Sequence, residues 1–437
     1  MGARLLTERP ELLTAVARRV GTPVFVYDAD HIRSQYGTMR AALDGVPHRV
    51  HYSVKANSSV AVLGVLRKLG AGVDVVSVGE MARAFRAGYR PGDIIFSGVG
   101  KRPEELEQAV AQRIRMVNVE SVAEFDLLCR IAERQGGEAR VGIRVNPDVE
   151  TATHPYTQTG KAGMKFGVPL EEVATIAART LHMPSLRLVS IGMHIGSQIV
   201  DAEQFGEGAS RLRELVAQLR DLGVTSLDGV DVGGGIGIRY IDETPLKLDE
   251  YAAVLRPLAE GTGLPIVLEP GRYLVGNAGV LLARTLYRKH SGGKTFVIVD
   301  AGMNDLLRPS LYGAMHEIVV VGGAAADTGS YGIDGELVDV VGPVCETGDF
   351  LAKDRYLPGA VPGALLAVRS AGAYAFTMGS TYNSRPRPPE VLVDGDRWAV
   401  IRERESLEDL MRGEYTLDQV DAAGGWTETS GAGVRIA

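Results

Sequence analysis

Between residues 49 and 269 the chain repeats one unit: a short, β-branched, largely apolar run ends in Gly or a polar residue, and a helix-patterned segment follows. Eight such runs occur: RVHYSVK at 49–55, GVDVVS at 72–77, DIIFS at 93–97, RMVNV at 115–119, RVGIRVN at 140–146, RLVSIGMH at 187–194, LDGVDV at 227–232 and PIVLE at 265–269. Between them lie amphipathic stretches such as SVAVLGVLRKL at 59–69, SVAEFDLLCRIAER at 121–134 and SRLRELVAQLRDL at 210–222. Near-continuous apolar strands alternating with such helices argue for a parallel sheet covered on its faces. Eight units fit a (β/α)8 barrel of the TIM type, with an open doubly wound sheet as the competing architecture.

The rhythm stops near residue 285. TFVIV at 295–299, HEIVVV at 316–321, ELVDVV at 336–341 and ALLAV at 364–368 follow without long helices between them. They predict a mostly antiparallel β domain, a sandwich or barrel. PVFVY at 23–27 precedes the first unit and has no place in the barrel, so it is expected to join the C-terminal sheet. The barrel is accordingly expected over 30–285, and the β domain over 1–29 and 286–437. GGAAADTGSYGIDG at 322–335 reads as an exposed loop or hairpin connection.

Composition removes several classes of function. With 45% hydrophobic and 23% charged residues and a net charge of -7, the chain reads as an ordinary globular protein. Its charges are interspersed, which argues against a sequence-independent grip on nucleic acid. MGARLLTERPELL lacks the apolar core and cleavage site of a secretory signal, and no run approaches the about 18 apolar residues that span a bilayer. The two cysteines, Cys129 and Cys345, are too few for a disulfide framework. Cys129 reads as a small buried hydrophobe. A cytoplasmic location and no metal are expected.

In a barrel of this kind the chemistry sits at the C-terminal strand ends. Those ends bring Lys55, Asp74, Arg144, His194, Ser197, the Gly233-Gly234-Gly235 turn, Glu269 and Arg272 to one rim. The inventory suits a phosphorylated, electrophilic cofactor. Lys55 alone reads as a strand-end lysine reaching solvent; in this company it reads as an amine nucleophile whose pKa burial would lower. The glycines let backbone N–H groups approach a phosphate, although the same residues also make an ordinary tight turn. Glu269 can hold a protonated pyridine nitrogen, and Arg272 a carboxylate; a surface ion pair is the plainer alternative. His194 can stack on a planar ring or simply fill the core.

Seven segments, in this order, resemble the fold-type III pyridoxal-phosphate decarboxylases: YSVKAN at 52–57, HIGSQI at 194–199, GGGIGI at 233–238, EPGR at 269–272, DAGMNDLLRPSLYGAMH at 300–316, GPVCETGD at 342–349 and AGAYAFTMGSTYNSRPRP at 371–388. The resemblance covers nearly the whole chain and implies pyridoxal 5'-phosphate held by Lys55 as a Schiff base. It implies His194 stacked on the ring, with Ser197, Gly233, Gly234, Gly235, Glu269, Pro270, Gly271 and Arg272 around ring and phosphate. Glu269 falls on the pyridine nitrogen, Tyr374 on the cofactor and substrate, and Asp74 and Arg144 on the pocket wall.

Further positions bear on the substrate. Arg272, Arg308 and Tyr312 resemble a group that binds a distal carboxylate, and Glu346 one that receives a distal ammonium. Cys345 resembles the thiol that reprotonates the carbanion. The implied reaction converts meso-2,6-diaminopimelate to L-lysine and CO2 in a homodimer, one subunit lending Cys345 and Glu346 to the other's site. A sister enzyme for ornithine or carboxynorspermidine would share the cofactor residues and differ at Arg308, Tyr312 and Glu346. A catalytically silent relative would lack Lys55 or Cys345, and a racemase on the same barrel would release no CO2.

Overall fold

The computed structural model describes residues 6–147, 164–322 and 337–426. After the helix Pro10–Val20 comes strand β1 (Val24–Asp28), which is not one of the barrel strands. The next strands are β2 (His48–Ser53), β3 (Gly72–Val75), β4 (Ile94–Phe96), β5 (Met116–Val119), β6 (Ala139–Val145), β7 (Leu186–Met193), β8 (Gly229–Asp231) and β9 (Ile266–Leu268). All pair in parallel and in sequence order, and β9 returns to β2 with His48 opposite Ile266, so the barrel closes. Every one of the eight apolar runs carries one of these strands, which rules out the open sheet.

The connecting helices follow from local sequence. In Val122–Gln135 the Ser121 hydroxyl accepts the Glu124 N–H at 3.1 Å, and Gly136 ends the helix at a φ of 64°. Phe125, Leu128, Cys129, Ile131 and Ala132 are buried, one face of the helix against the barrel. Burying a Leu or Phe side chain stabilises the fold by about 1.5–3 kcal/mol. Cys129 thus has the packing role its sequence context suggested.

The second sheet contains β10 (Gly279–Ser291), β11 (Lys294–Val299), β12 (Ile318–Val320), β13 (Leu337–Val341), β14 (Phe350–Tyr356), β15 (Leu365–Val368), β16 (Glu390–Asp394) and β17 (Arg397–Arg402), joined by β1. As the sequence indicated, β1 belongs here. All five of its residues are buried, and it lies antiparallel to β10 and parallel to β16. The sheet is more mixed than an antiparallel reading implies, because β11 and β13 also pair in parallel. Neither parallel pair is linked by a hairpin, and long connections permit either direction. β12 starts at Ile318, not at His316, whose side chain is engaged elsewhere. Apart from Gly322, the 322–335 segment lies outside the described residues.

Two contacts fasten this sheet's loops to the barrel mouth. Asn57 donates from Nδ2 to the Gly372 carbonyl at 3.0 Å, and the Tyr374 N–H donates to the Ala56 carbonyl at 2.8 Å. Lys55 immediately precedes both anchors in the chain. Among the described residues no helix is long and apolar enough to cross a membrane.

Candidate active site

At the C-terminal ends of the barrel strands lies a cavity of about 640 Å³, a size suited to a cofactor plus a small substrate. Lys55 enters it from the short turn Val54–Ala56 just past β2. Asp74 comes from β3, Arg144 from β6, and His194 and Ser197 from the segment after β7. Gly235 follows β8, and Glu269, Gly271 and Arg272 follow β9. Arg308 and Tyr312, at the two ends of the helix Arg308–Tyr312, and Tyr374 close the cavity from the second sheet's side. Tyr374 has a φ of 55°, left-handed backbone that a tyrosine rarely adopts. Residues far apart in sequence thus meet at one rim.

Gly233, Gly234 and Pro270 stand behind the cavity wall, where they shape it. Gly233 and Gly235 have φ of 69° and 106°, and a Cβ on Gly234 would lie 2.2 Å from the Glu269 carbonyl oxygen. The Gly234 N–H donates to His194 Nδ1 at 3.1 Å. Burial and the charges of Lys55 and Arg144 push the His194 pKa well down. A neutral imidazole that accepts at Nδ1 carries its proton on Nε2.

The groups beside the glycine turn are acidic. Asp74 accepts the Ser53 hydroxyl at 2.8 Å on Oδ2, while its Oδ1 is buried with no hydrogen-bond partner among the described residues. Asp231 accepts the Gly233 N–H at 2.8 Å on Oδ1, and burial together with Asp74 pushes its pKa up to about 7. Burial, then the charges of Asp231 and Asp74, push Glu269 well above the ordinary carboxylate range. The Asp231 and Glu269 carboxyls also interact with each other, and among the described residues Glu269 Oε1 and Asp231 Oδ2 are buried with no other hydrogen-bond partner. Lys55 departs from expectation here: burial does lower its pKa, but Asp74, Tyr374 and Glu269 outweigh burial and hold the ammonium above its usual value.

The arginines fall into two kinds. Arg144 is neutralised by Glu120, with Nη1 at 3.0 and 3.2 Å from the two carboxylate oxygens. Arg272 and Arg308 are buried at 8% and 7% exposure, and among the described residues neither meets a carboxylate. Arg272 donates to the Tyr240 hydroxyl at 2.5 Å and to the Ser197 hydroxyl at 2.9 Å, and lies over the Tyr374 ring at 4.8 Å. Arg308 lies over the Tyr240 ring at 4.6 Å and donates to His316 Nε2 at 2.8 Å. Buried cations are normally paired. Two that are not define an anion-binding end.

Cys345 and Glu346 do not line this cavity. They are exposed on the turn between β13 and β14. The turn is nevertheless well held: the Val344 N–H donates to Asp349 at 2.6 Å, the Cys345 N–H to Asn383 at 2.9 Å, and the Ser310 hydroxyl to the Gly348 carbonyl at 2.5 Å. Sequence reasoning missed Glu120, Asp231, Tyr240 and His316. His316 lay within a recognised motif but was given no role there.

Pyridoxal phosphate fits these residues on three observations. Among the described residues Glu269 Oε1 has no partner beyond the neighbouring Asp231 carboxyl, in an acidic pocket where a ring N–H⁺ relieves the repulsion among carboxylates. Arg272 is a buried cation beside the Ser197 hydroxyl, suited to an anion. Lys55 is the amine, set among both groups. The comparisons agree. Residues 29–276 match the family model described as "Pyridoxal-dependent decarboxylase, pyridoxal binding domain". Fold and site together define the class: a pyridoxal-dependent decarboxylase barrel carrying a second, mostly β domain. Diaminopimelate decarboxylase from Pseudomonas aeruginosa is 46% identical over 93% of this chain and 96% of its own length. The enzyme of that name from Zymomonas mobilis is 42% identical over 93% of this chain and 96% of its own length. The crystal structure of diaminopimelate decarboxylase from Helicobacter pylori complexed with L-lysine superposes with a TM-score of 0.87, at 40% identity, covering 94% of this chain and all of that one. The chain belongs to the diaminopimelate decarboxylase family.

Proposed function

We propose that the protein removes CO2 from meso-2,6-diaminopimelate and yields L-lysine, with pyridoxal 5'-phosphate held at Lys55. The observation that carries this reading is the pair Arg272 and Arg308, two buried guanidiniums that pair with no carboxylate among the described residues and line the cavity that also holds Lys55. One serves the cofactor phosphate and the substrate; the other serves the carboxylate that the product keeps. The Helicobacter relative's complex with L-lysine supports that assignment.

Around the cofactor stand Lys55, Asp74, Arg144, His194, Ser197, Gly233, Gly234, Gly235, Glu269, Pro270, Gly271, Arg272 and Tyr374. When bound, pyridoxal phosphate supplies the electron sink for the pair left by the departing carboxylate. The chain's own residues set the stage for that. Glu269 keeps a proton on the ring nitrogen, which keeps the ring electron-poor. Neutral His194 offers a flat face without adding charge. Arg272, Arg308, Tyr312 and Tyr374 fix the far end of the substrate, so only one of its two carboxylates reaches the reacting position.

A homodimer completes the site. Cys345 of the partner subunit delivers a proton from Sγ to the substrate carbon, and Glu346 of the partner subunit receives the distal ammonium. The exposed, hydrogen-bonded turn that carries them supports this arrangement. We assign the barrel to 30–285 and the β domain to 1–29 and 286–437, and place the enzyme in the cytoplasm. A substrate panel tests the reading. Turnover of meso-diaminopimelate should exceed that of ornithine and carboxynorspermidine; faster turnover of either would overturn it.

A further inference from the structure

Arg308 poses a problem that the rest of the site does not solve. Its guanidinium is buried, and a long, jointed side chain needs something to fix it. Among the described residues its one side-chain hydrogen bond goes to Nε2 of His316, at 2.8 Å. A guanidinium cannot accept, so Nε2 is the acceptor and Nδ1 bears the proton. That proton is donated to the Arg369 carbonyl at 2.8 Å. His316 is fully buried, and its ring meets Tyr240 edge-on at 5.2 Å between centroids. Tyr240 in turn lies beneath Arg308 at 4.6 Å and accepts from Arg272.

We propose that His316 is a positioning residue, whose imidazole holds the Arg308 guanidinium against Tyr240 so that it keeps its full charge for the distal carboxylate of the ligand. The choice of residue type is what makes this work. An Asp or Glu at 316 would hold Arg308 as firmly but would neutralise it, and would compete with the ligand's carboxylate. A neutral acceptor holds the guanidinium and leaves its other donors and its charge for the ligand. Burial and the neighbouring charge of Arg308 push the His316 pKa down to about 3, so the ring remains neutral under working conditions. The proposal rests on the substrate reading above, because it assumes that Arg308 faces a carboxylate.

Calorimetric binding of L-lysine and of cadaverine to the cofactor-loaded enzyme tests it. Both ligands are diamines, and only L-lysine has the carboxylate. The wild type should bind L-lysine more tightly than cadaverine. His316→Leu should weaken L-lysine about tenfold, the cost of losing one hydrogen bond to a charged group, and leave cadaverine unchanged. His316→Gln, which keeps a neutral acceptor, should recover most of the loss; His316→Glu should not. In steady state, KM for meso-diaminopimelate should rise more than kcat falls. If the wild type shows no preference for L-lysine, the substrate reading fails. If the preference exists and survives in His316→Leu, the role given to His316 is wrong. Should His316→Leu not fold, equal L-lysine affinity in the Gln and Glu variants would overturn the proposal just as directly.

Discussion

The backbone N–H of Gly234 donates to Nδ1 of His194 at 3.1 Å, so the glycine turn that follows β8 also sets the tautomer of the histidine that follows β7. One feature thereby shapes two walls of the cavity. Gly234→Ala would force a Cβ to within 2.2 Å of the Glu269 carbonyl. The expected cost is about 1–3 kcal/mol of stability, typical of overpacking, together with weaker cofactor retention. Thermal melts and titration of apoenzyme with pyridoxal phosphate measure the two effects separately.

Glu269 lies on a stability–function trade-off. Its pKa is raised, chiefly by burial and then by Asp231 and Asp74. The folded state therefore holds a proton that the unfolded chain releases at lower pH. Stability of the ligand-free protein falls as pH rises from the ordinary carboxylate pKa toward the raised one. Glu269→Gln removes that ionisation. The variant should melt higher than wild type at and above neutral pH, with the gap closing toward pH 4, while losing activity with the cofactor present. Paired melts across pH and one activity assay check both halves.

Arg308→Lys keeps the charge and loses the planar fork that grips a carboxylate in two places. KM for meso-diaminopimelate should rise by about 10–100-fold, the range for a hydrogen bond to a charged group, with little change in cofactor affinity. Steady-state kinetics alongside cofactor absorbance distinguishes this from a general loss of structure.

If Cys345 and Glu346 act across a dimer interface, two dead variants should rescue each other. Lys55→Ala and Cys345→Ala homodimers should each be inactive. Mixed after dissociation, they form heterodimers in which one site has both residues, and random pairing restores about a quarter of wild-type activity. No recovery, with heterodimers confirmed by mass spectrometry, would place both residues in the same site.

Much of this was legible in the sequence, for physical reasons. Strands buried on both faces must be apolar runs, so β2 to β9 announced themselves, and PVFVY stood out as a strand with no barrel partner. Lys55, His194 and Glu269 were readable because a barrel places its strand ends on one rim. Tyr240 and His316 were not, because each acts only through arginines that the fold brings beside it. Asp231 was passed over as one polar residue inside an apolar run. The pKa of Lys55 was misjudged in direction, since burial is a local inference whereas Asp74 and Glu269 arrive from other strands. The parallel pairing of β1 with β16 and of β11 with β13 depends on long connections that no periodicity encodes.

Lys55 is the residue on which the chemistry depends. The decisive measurement is CO2 release from meso-diaminopimelate, with and without added pyridoxal phosphate, by wild type and Lys55→Ala, alongside the visible absorbance of the bound cofactor. Wild type should release CO2 only with the cofactor and show the absorbance, and Lys55→Ala should do neither. CO2 release by the wild type after complete removal of the cofactor, or an unchanged absorbance in Lys55→Ala, would contradict the central claim.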